Sequence, residues 1–119
     1  MMDDKELLLV QRYRPRVEEM LRELLDLQQQ TEDNRAPVAL DQQSVGRVSR
    51  IDALHGQAMA AASDRRRTIM IARLRRTLAR MEEGEFGFCT ACGERIADGR
   101  LDADPSSHTC VNCANLAGR

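Results

Sequence analysis

Four cysteines constrain this chain more than any other feature. They stand as Cys89-Thr90-Ala91-Cys92 and Cys110-Val111-Asn112-Cys113, and the 119 residues contain no other. Two C-x-x-C pairs at this separation let four thiolates converge tetrahedrally on one zinc ion, since a two-residue gap brings both sulfurs of a knuckle to a single metal at about 2.3 Å. The seventeen residues 93–109 are enough chain to turn round and return the second pair. Gly93 follows the second cysteine directly and suits a tight turn, because glycine takes positive φ without steric cost. Gly87 precedes the first pair, Gly99 and Pro105 interrupt the connection, and nothing between the pairs is apolar enough to form a core without the metal.

The other uses of such cysteines fit less well. Paired disulfides belong to an oxidising compartment, and no secretory signal precedes these cysteines. A redox C-x-x-C of the thioredoxin kind needs a βαβ setting that the chain lacks. His108 lies two residues before Cys110 and is read as exposed, because four thiolates already close the coordination shell. A closed shell makes the site structural, with no open position for catalysis.

The rest of the chain is built for helices. Aromatic residues are only 3% of the sequence, with no Trp, one Tyr and two Phe, while 31% of residues are charged. Leu, Ala, Met, Ile and Val interleaved with that much charge is the mixture of long amphipathic helices and coiled coils. The run Leu7-Leu8-Leu9-Val10 is preceded by Asp3, Asp4 and Glu6. It has neither the basic start and length of a signal peptide nor the about 20 residues of a membrane span, which implies a cytoplasmic protein. A short N-terminal helix is expected to end near Arg12, with Pro15 either opening the next helix or kinking a continuous one.

From Pro15 to about Thr31, Val17, Leu21 and Leu24 step by four and three and share one helical stripe, with Glu18, Glu19, Arg22, Glu23 and Asp26 on the wet face. The period is lost around Pro37, where a turn is expected, and Asp41 is a good N-cap for a second helix. That helix is expected from about Gln42 to Glu83, roughly 60 Å long at 1.5 Å per residue. Its stripe reads Val45, Val48, Ile51 or Leu54, Ala58, Ala61 or Ala62, Ile71, Leu74, Leu78 and Met81. The fold class is therefore mainly α: an antiparallel coiled-coil helical hairpin with a small four-cysteine zinc-finger module and a short N-terminal helix. The expected divisions are a helical segment 1–14, the hairpin 15–83 with its tip near 32–46, and the zinc-finger module 84–119. The distal half of the longer helix is expected to meet Pro15 to Thr31, leaving its basal half to the N-terminal segment and the module.

The formal net charge is −1, but the charge is polarised. Between Asp64 and Arg80 there are seven arginines (Arg65, Arg66, Arg67, Arg73, Arg75, Arg76, Arg80) against one acid, Asp64. Such a run is often no more than a solvated helix face. It can also form a positive collar near the hairpin's base, able to meet an acidic protein surface or phosphates. The other end carries Glu32, Asp33, Asp41 and Asp52.

The segments Glu85-Phe86-Gly87-Phe88-Cys89-x-x-Cys92-Gly93-Glu94, Arg100-Leu101, Asp104-Pro105 and Cys110-x-x-Cys113 resemble the zinc-finger signature of the DksA/TraR family of bacterial transcription regulators. The arginine-rich helix and the stretch Val45 to Leu54 resemble short members of that group, so the likeness runs from about Pro15 to the C-terminus. It implies a protein that binds RNA polymerase directly, inserting the hairpin through the secondary channel so that an acidic tip lies near the catalytic centre and alters initiation at selected promoters, ribosomal RNA promoters among them. The family's tip motif is Asp-x-x-Asp-x-Ala. An ungapped count back from Cys89 lands on Gly46, Ser49 and Ile51, and the nearby substitutes are Asp41 and the pair Asp52-Ala53. Family members respond to guanosine tetraphosphate through basic residues. Arg66 and Arg73 fall at matching helix positions, whereas Asp104 and Ala114 stand where basic residues are expected, and the chain stops at Arg119, too soon for a long C-terminal helix.

No nucleophile, general base or open metal position is visible, so no enzymatic activity is expected. The leading expectation is a monomeric, zinc-bearing polymerase regulator without sequence-specific DNA binding. Two alternatives follow from the same residues: a zinc-finger nucleic-acid binder, which the arginines favour but the net charge and the lack of an aromatic stacking platform oppose, and a helical adaptor.

Overall fold

A computed structural model of the chain describes residues 4–34 and 47–117. Among these the fold is two long helices, α1 (Asp4–Asn34) and α2 (Arg47–Glu83), followed by a cysteine-bearing module with two short helices, α3 (Asp98–Ala103) and α4 (Val111–Ala117). The turn expected at Pro37, the cap Asp41 and the first residues of the expected second helix lie outside the described residues.

Of the two options at Pro15 the chain takes the continuous one: α1 runs through it, and residues 4–14 are its first turns. Proline inside a helix costs about 3 kcal/mol. The turns on either side of it are held down, because Val10, Tyr13 and Val17 are all buried on one stripe while Pro15 faces solvent. Burying side chains of this kind contributes about 1.5–3 kcal/mol each, enough to offset the proline.

The hairpin pairs in heptad steps. Along α1 the seam continues from Val17 through the half-buried Leu21 and Leu24, and along α2 it runs through Ile71, Leu74, Thr77 and Met81, all buried, with Leu78 half-buried. The stripe read for α2 therefore holds from Ile71 to Met81. Its distal part does not: Ile51 and Leu54 are 62% and 66% exposed, and Ala58 and Ala61 also face outward.

The expected register is corrected here. Arg14 of α1 reaches Glu82 at 3.5 Å, and Arg67 of α2 donates to Thr31 Oγ1 at 3.4 Å. Pro15 to Thr31 thus lies along the basal half of α2, not the distal half. The cause is at the foot, where Tyr13 and the residues around it are committed to the module, which fixes how far up α2 the remaining α1 residues can reach. At 1.5 Å per residue the 37-residue α2 is about 56 Å long, and among the described residues its distal turns extend past the end of α1.

The module closes the foot of the hairpin. Gly84 (φ +76°) ends α2, and the Glu85 amide donates back to the Arg80 carbonyl at 2.9 Å. Ile96 and Leu101, both from the stretch between the cysteine pairs, are fully buried with Val10, Tyr13, Met81 and Phe86. They supply no separate core. They complete the helical one, which the apolar content of that stretch alone did not reveal.

Candidate metal centre

The first knuckle follows from local geometry. The Cys89 amide donates to the Glu94 carbonyl at 2.7 Å and the Gly93 amide to the Cys89 carbonyl at 2.9 Å, folding the chain back over Cys92. Gly93 has φ +78°, as its position after the second cysteine led one to expect, and a Cβ there would meet nothing. The limit is therefore conformational, not spatial. An antiparallel bridge between Phe88 and Arg95 seals the base of this turn.

The second knuckle is the entry to α4. The Ala114 amide donates to the Cys110 carbonyl at 2.9 Å, and the Cys113 amide points at Cys110 Sγ at 3.4 Å. One tie fastens the knuckles together: Thr90 gives both its amide, at 2.8 Å, and its hydroxyl, at 3.1 Å, to the His108 carbonyl.

The four sulfurs of Cys89, Cys92, Cys110 and Cys113 lie within 4.8 Å of one another, none of them in a disulfide. Four thiolates bound at about 2.3 Å around a tetrahedral ion stand about 3.8 Å apart. The Cys92–Cys110 separation is 3.8 Å, so the donor set fits zinc in both chemistry and size. His108 is exposed and stands outside the cluster, as read from the sequence.

The thiols themselves show why a cation belongs among them. The Cys110 backbone and neighbouring amides draw the Cys89 thiol down to about 6, while hydrogen bonding to the sulfurs of Cys110, Cys89 and Cys92 pushes Cys113 up to about 12. Four groups this close cannot all ionise at neutral pH unless a positive charge lies between them. Zinc, when bound, supplies that charge and four bonds that lock the knuckles. Cys89 is buried and Cys92 exposed, so the centre sits at the module's surface.

The arginine run divides into two kinds. Arg73 donates through Nε to the Ser106 carbonyl at 3.1 Å and lies 3.7 Å from the Asp104 carboxylate. Arg80 donates to the carbonyls of Glu85 and Phe88, and Arg67 pairs with Asp64 at 3.0 Å. These three are internal fastenings of the foot and the seam. Arg65, Arg66, Arg75 and Arg76 are exposed, with Arg66 touching Ser63 Oγ at 3.2 Å. His108 feels the assembled charge: partial loss of water around an otherwise exposed ring first, then Arg73, Arg80, Arg76 and Arg100, hold its imidazole below the usual range.

From the other side α1 grips the module through Asp102. Its carboxylate accepts from the Tyr13 hydroxyl and from Arg12 at 3.2 Å, and its carbonyl from Arg16 at 2.6 Å. Tyr13 also packs on Phe86, with ring centroids 5.9 Å apart. Sequence reading passed over this anchor, although the chain's one tyrosine, beside a proline on the buried stripe, was the available signal.

Of the residues read as the tip, Asp52 and Ala53 are exposed on distal α2, and Asp41 lies outside the described residues. Arg73 lies on basal α2 against the module, and Arg66 stands about two turns further up the same helix.

Fold and site together define an α-helical hairpin rooted in a C4 zinc-finger module. Residues 84–117 match the prokaryotic DksA/TraR C4-type zinc finger. Over 54 residues it is 39% identical to the RNA polymerase-binding transcription factor DksA of Haemophilus influenzae KW20 and to that of Escherichia coli K12. That stretch is 45% of this chain but only 37% and 35% of those proteins, so the match spans little more than a third of the curated relatives' length. Among solved structures, the RNA polymerase binding protein and transcriptional regulator Dks of Chlamydia trachomatis L2 superposes with a TM-score of 0.54 at 17% identity, covering 99% of this chain and 93% of that one. Transcription factor DksA2 of Pseudomonas aeruginosa gives 0.51 at 23%, covering 97% and 78%. These two likenesses establish a shared hairpin-and-module fold. No helix among the described residues is long and apolar enough to cross a membrane.

Proposed function

We propose that this chain is a cytoplasmic transcription regulator that binds RNA polymerase, enters its secondary channel with the hairpin and acts on initiation, at ribosomal RNA promoters among others, from the far end of α2. The observation that carries this reading is the union of a DksA/TraR-type zinc module with a stiff hairpin in one core. The module and the exposed arginines beside it supply docking. The distal turns of α2, which carry Asp52 and Ala53 with outward-facing side chains, supply reach and the effector groups, together with Asp41. In this reading the chain acts as a monomer, and its zinc centre does no chemistry because four thiolates close the shell once zinc is bound.

Guanosine tetraphosphate is the candidate small ligand, with Arg66 and Arg73 as its contacts. The fold weakens that role. Arg73 is already engaged by Ser106 and Asp104, and Ala114 brings no charge, leaving Arg66 as the available one of the two contacts. The nucleotide therefore adds little to this chain's effect. Copurification with RNA polymerase, followed by transcription in vitro from a ribosomal promoter with and without the nucleotide, tests the reading. Polymerase retention with a change in initiation, nearly the same in both conditions, is expected; a chain that passes through without polymerase defeats the proposal.

A further inference from the structure

Helix α2 carries two apolar stripes. At about 100° per residue, the seam that meets α1 (Ile71, Leu74, Leu78, Met81) lies on one side of the helix, and Ile51, Leu54, Ala58, Ala62, Arg65 and Ile69 fall about 180° away from it. Neither α1 nor the module covers this back face. Ile51, Leu54 and Ile69 are 62%, 66% and 67% exposed, Ala58 and Arg65 also face solvent, and Ala62 is half-buried. Single exposed leucines are ordinary on a protein surface, but three large aliphatic groups on one line, in steps of three and four residues opposite a filled seam, form the pattern of a helix that meets a second helix. Two charges flank the line on the same side, Asp52 at its distal end and Arg66 two heptads further on. Both are exposed, and neither forms an ion pair among the described residues.

We propose that this back face is a self-association surface on which two copies of the chain pair through α2, antiparallel, about a two-fold axis at the level of Ala60. That register sets Ile51 opposite the partner's Ile69 and Ala58 opposite the partner's Ala62. The alanines at the centre let the helices approach, the isoleucines close both ends, and the aliphatic stem of Arg65 covers the partner's Leu54 while its guanidinium stays in water. Asp52 comes level with the partner's Arg66 on the same flank, and the symmetry makes that ion pair twice. Charge also chooses the direction: a parallel pair sets Asp52 beside Asp52 and Arg65 against Arg65, whereas the antiparallel one meets acid with base. One helix face over about 28 Å is at the small end of stable interfaces, so the dimer is weak and reversible, with a dissociation constant on the order of 10 μM. The inference stands without the polymerase-binding reading. Where that reading holds, the dimer is the resting form, because it occupies Asp52 and makes the hairpin too thick to enter a channel, and dissociation releases the acting monomer.

Sedimentation of the full zinc-loaded chain, with no polymerase present, tests this over about 1 to 200 μM. The average mass is expected to climb with concentration from that of one chain toward that of two, and no further. Ala58→Glu puts a charge at the centre of an exposed helix face and keeps a good helix former there, so it is compatible with folding, which circular dichroism and zinc content check. It should weaken the dimer about tenfold or more. Asp52→Arg and Arg66→Asp should each weaken it about fivefold, and the two together should return it to within about twofold of the parent chain, because the pair is restored with its signs exchanged. Glu23→Arg, a charge change on the exposed side of α1, should leave it unchanged. A mass that stays at one chain throughout, or that passes two, overturns the proposal. If Ala58→Glu dimerises like the parent, the interface lies elsewhere; if the double charge exchange binds no better than the single ones, the antiparallel register is wrong and the assignment of this face falls with it.

Discussion

Gly87 shows how much of the foot rests on single positions. Its φ of +91° is in the region that L side chains rarely adopt, and a Cβ added there would lie 2.5 Å from Leu9 Cδ2. Leu9 can swing aside, so the backbone supplies most of the penalty. Gly87→Ala should destabilise the chain by about 1–2 kcal/mol in a denaturant melt while leaving zinc content intact. Tyr13 gives a pH signature. Burial first, and then its hydrogen bond to Asp102, raise its phenol above the ordinary value of 10.0. A group raised on folding favours the folded state fully below its unfolded pKa and loses that contribution as pH climbs through the folded one. Stability should therefore drop above about pH 10, and because the chain has one tyrosine, tyrosinate absorbance tracks the event directly. Tyr13→Phe should remove this alkaline step, and a drop unchanged in that variant would mean other groups drive it. At this scale the cysteines were legible because metal geometry depends on local spacing. Arg73 and Arg80 were not, since their partners are backbone carbonyls that only the tertiary fold brings within reach.

Between elements, the stripes announced a hairpin but left its register open. Val17, Leu21 and Leu24 can face either the Ile51–Ala58 stretch or the Ile71–Met81 stretch of α2 with equal satisfaction of the heptad pattern. The choice is made by Tyr13, Phe86 and Asp102 at the foot, whose mutual contact is invisible in periodicity. Pro15 was ambiguous for a related reason: whether a helix survives a proline depends on what its neighbouring turns bury. The resulting register has a functional corollary, because it leaves Asp52 on turns of α2 remote from the module. Asp52→Asn should leave polymerase affinity nearly unchanged and reduce the effect on transcription in vitro. Equal loss of both would argue against a division between a docking foot and an acting tip.

For the molecule as a whole, the question is what zinc holds. The module has anchors that do not involve the metal: Ile96 and Leu101 in the shared core, Asp102 gripped by α1, and the Ser106 carbonyl held by Arg73. The hairpin has its own seam at Val17, Leu74 and Met81, all without solvent exposure. The knuckles, by contrast, are joined to each other chiefly through Thr90 and the sulfurs, and without a cation the four crowded thiols resist joint ionisation. Chelating the zinc should therefore loosen the two knuckles first, removing amide-exchange protection around Cys89 to Gly93, around Cys110 to Cys113 and in α4, while far-UV circular dichroism retains most of the signal of α1 and α2. Polymerase binding should fall along with that local loss, because the proposed function assigns docking to the module. If chelation instead melts both long helices in a single transition, the metal organises the common core and the hairpin has no standing of its own. If the knuckles keep their protection without zinc, hydrogen bonds and the shared core suffice to shape the foot, and the thiolate cluster is dispensable for the fold it completes.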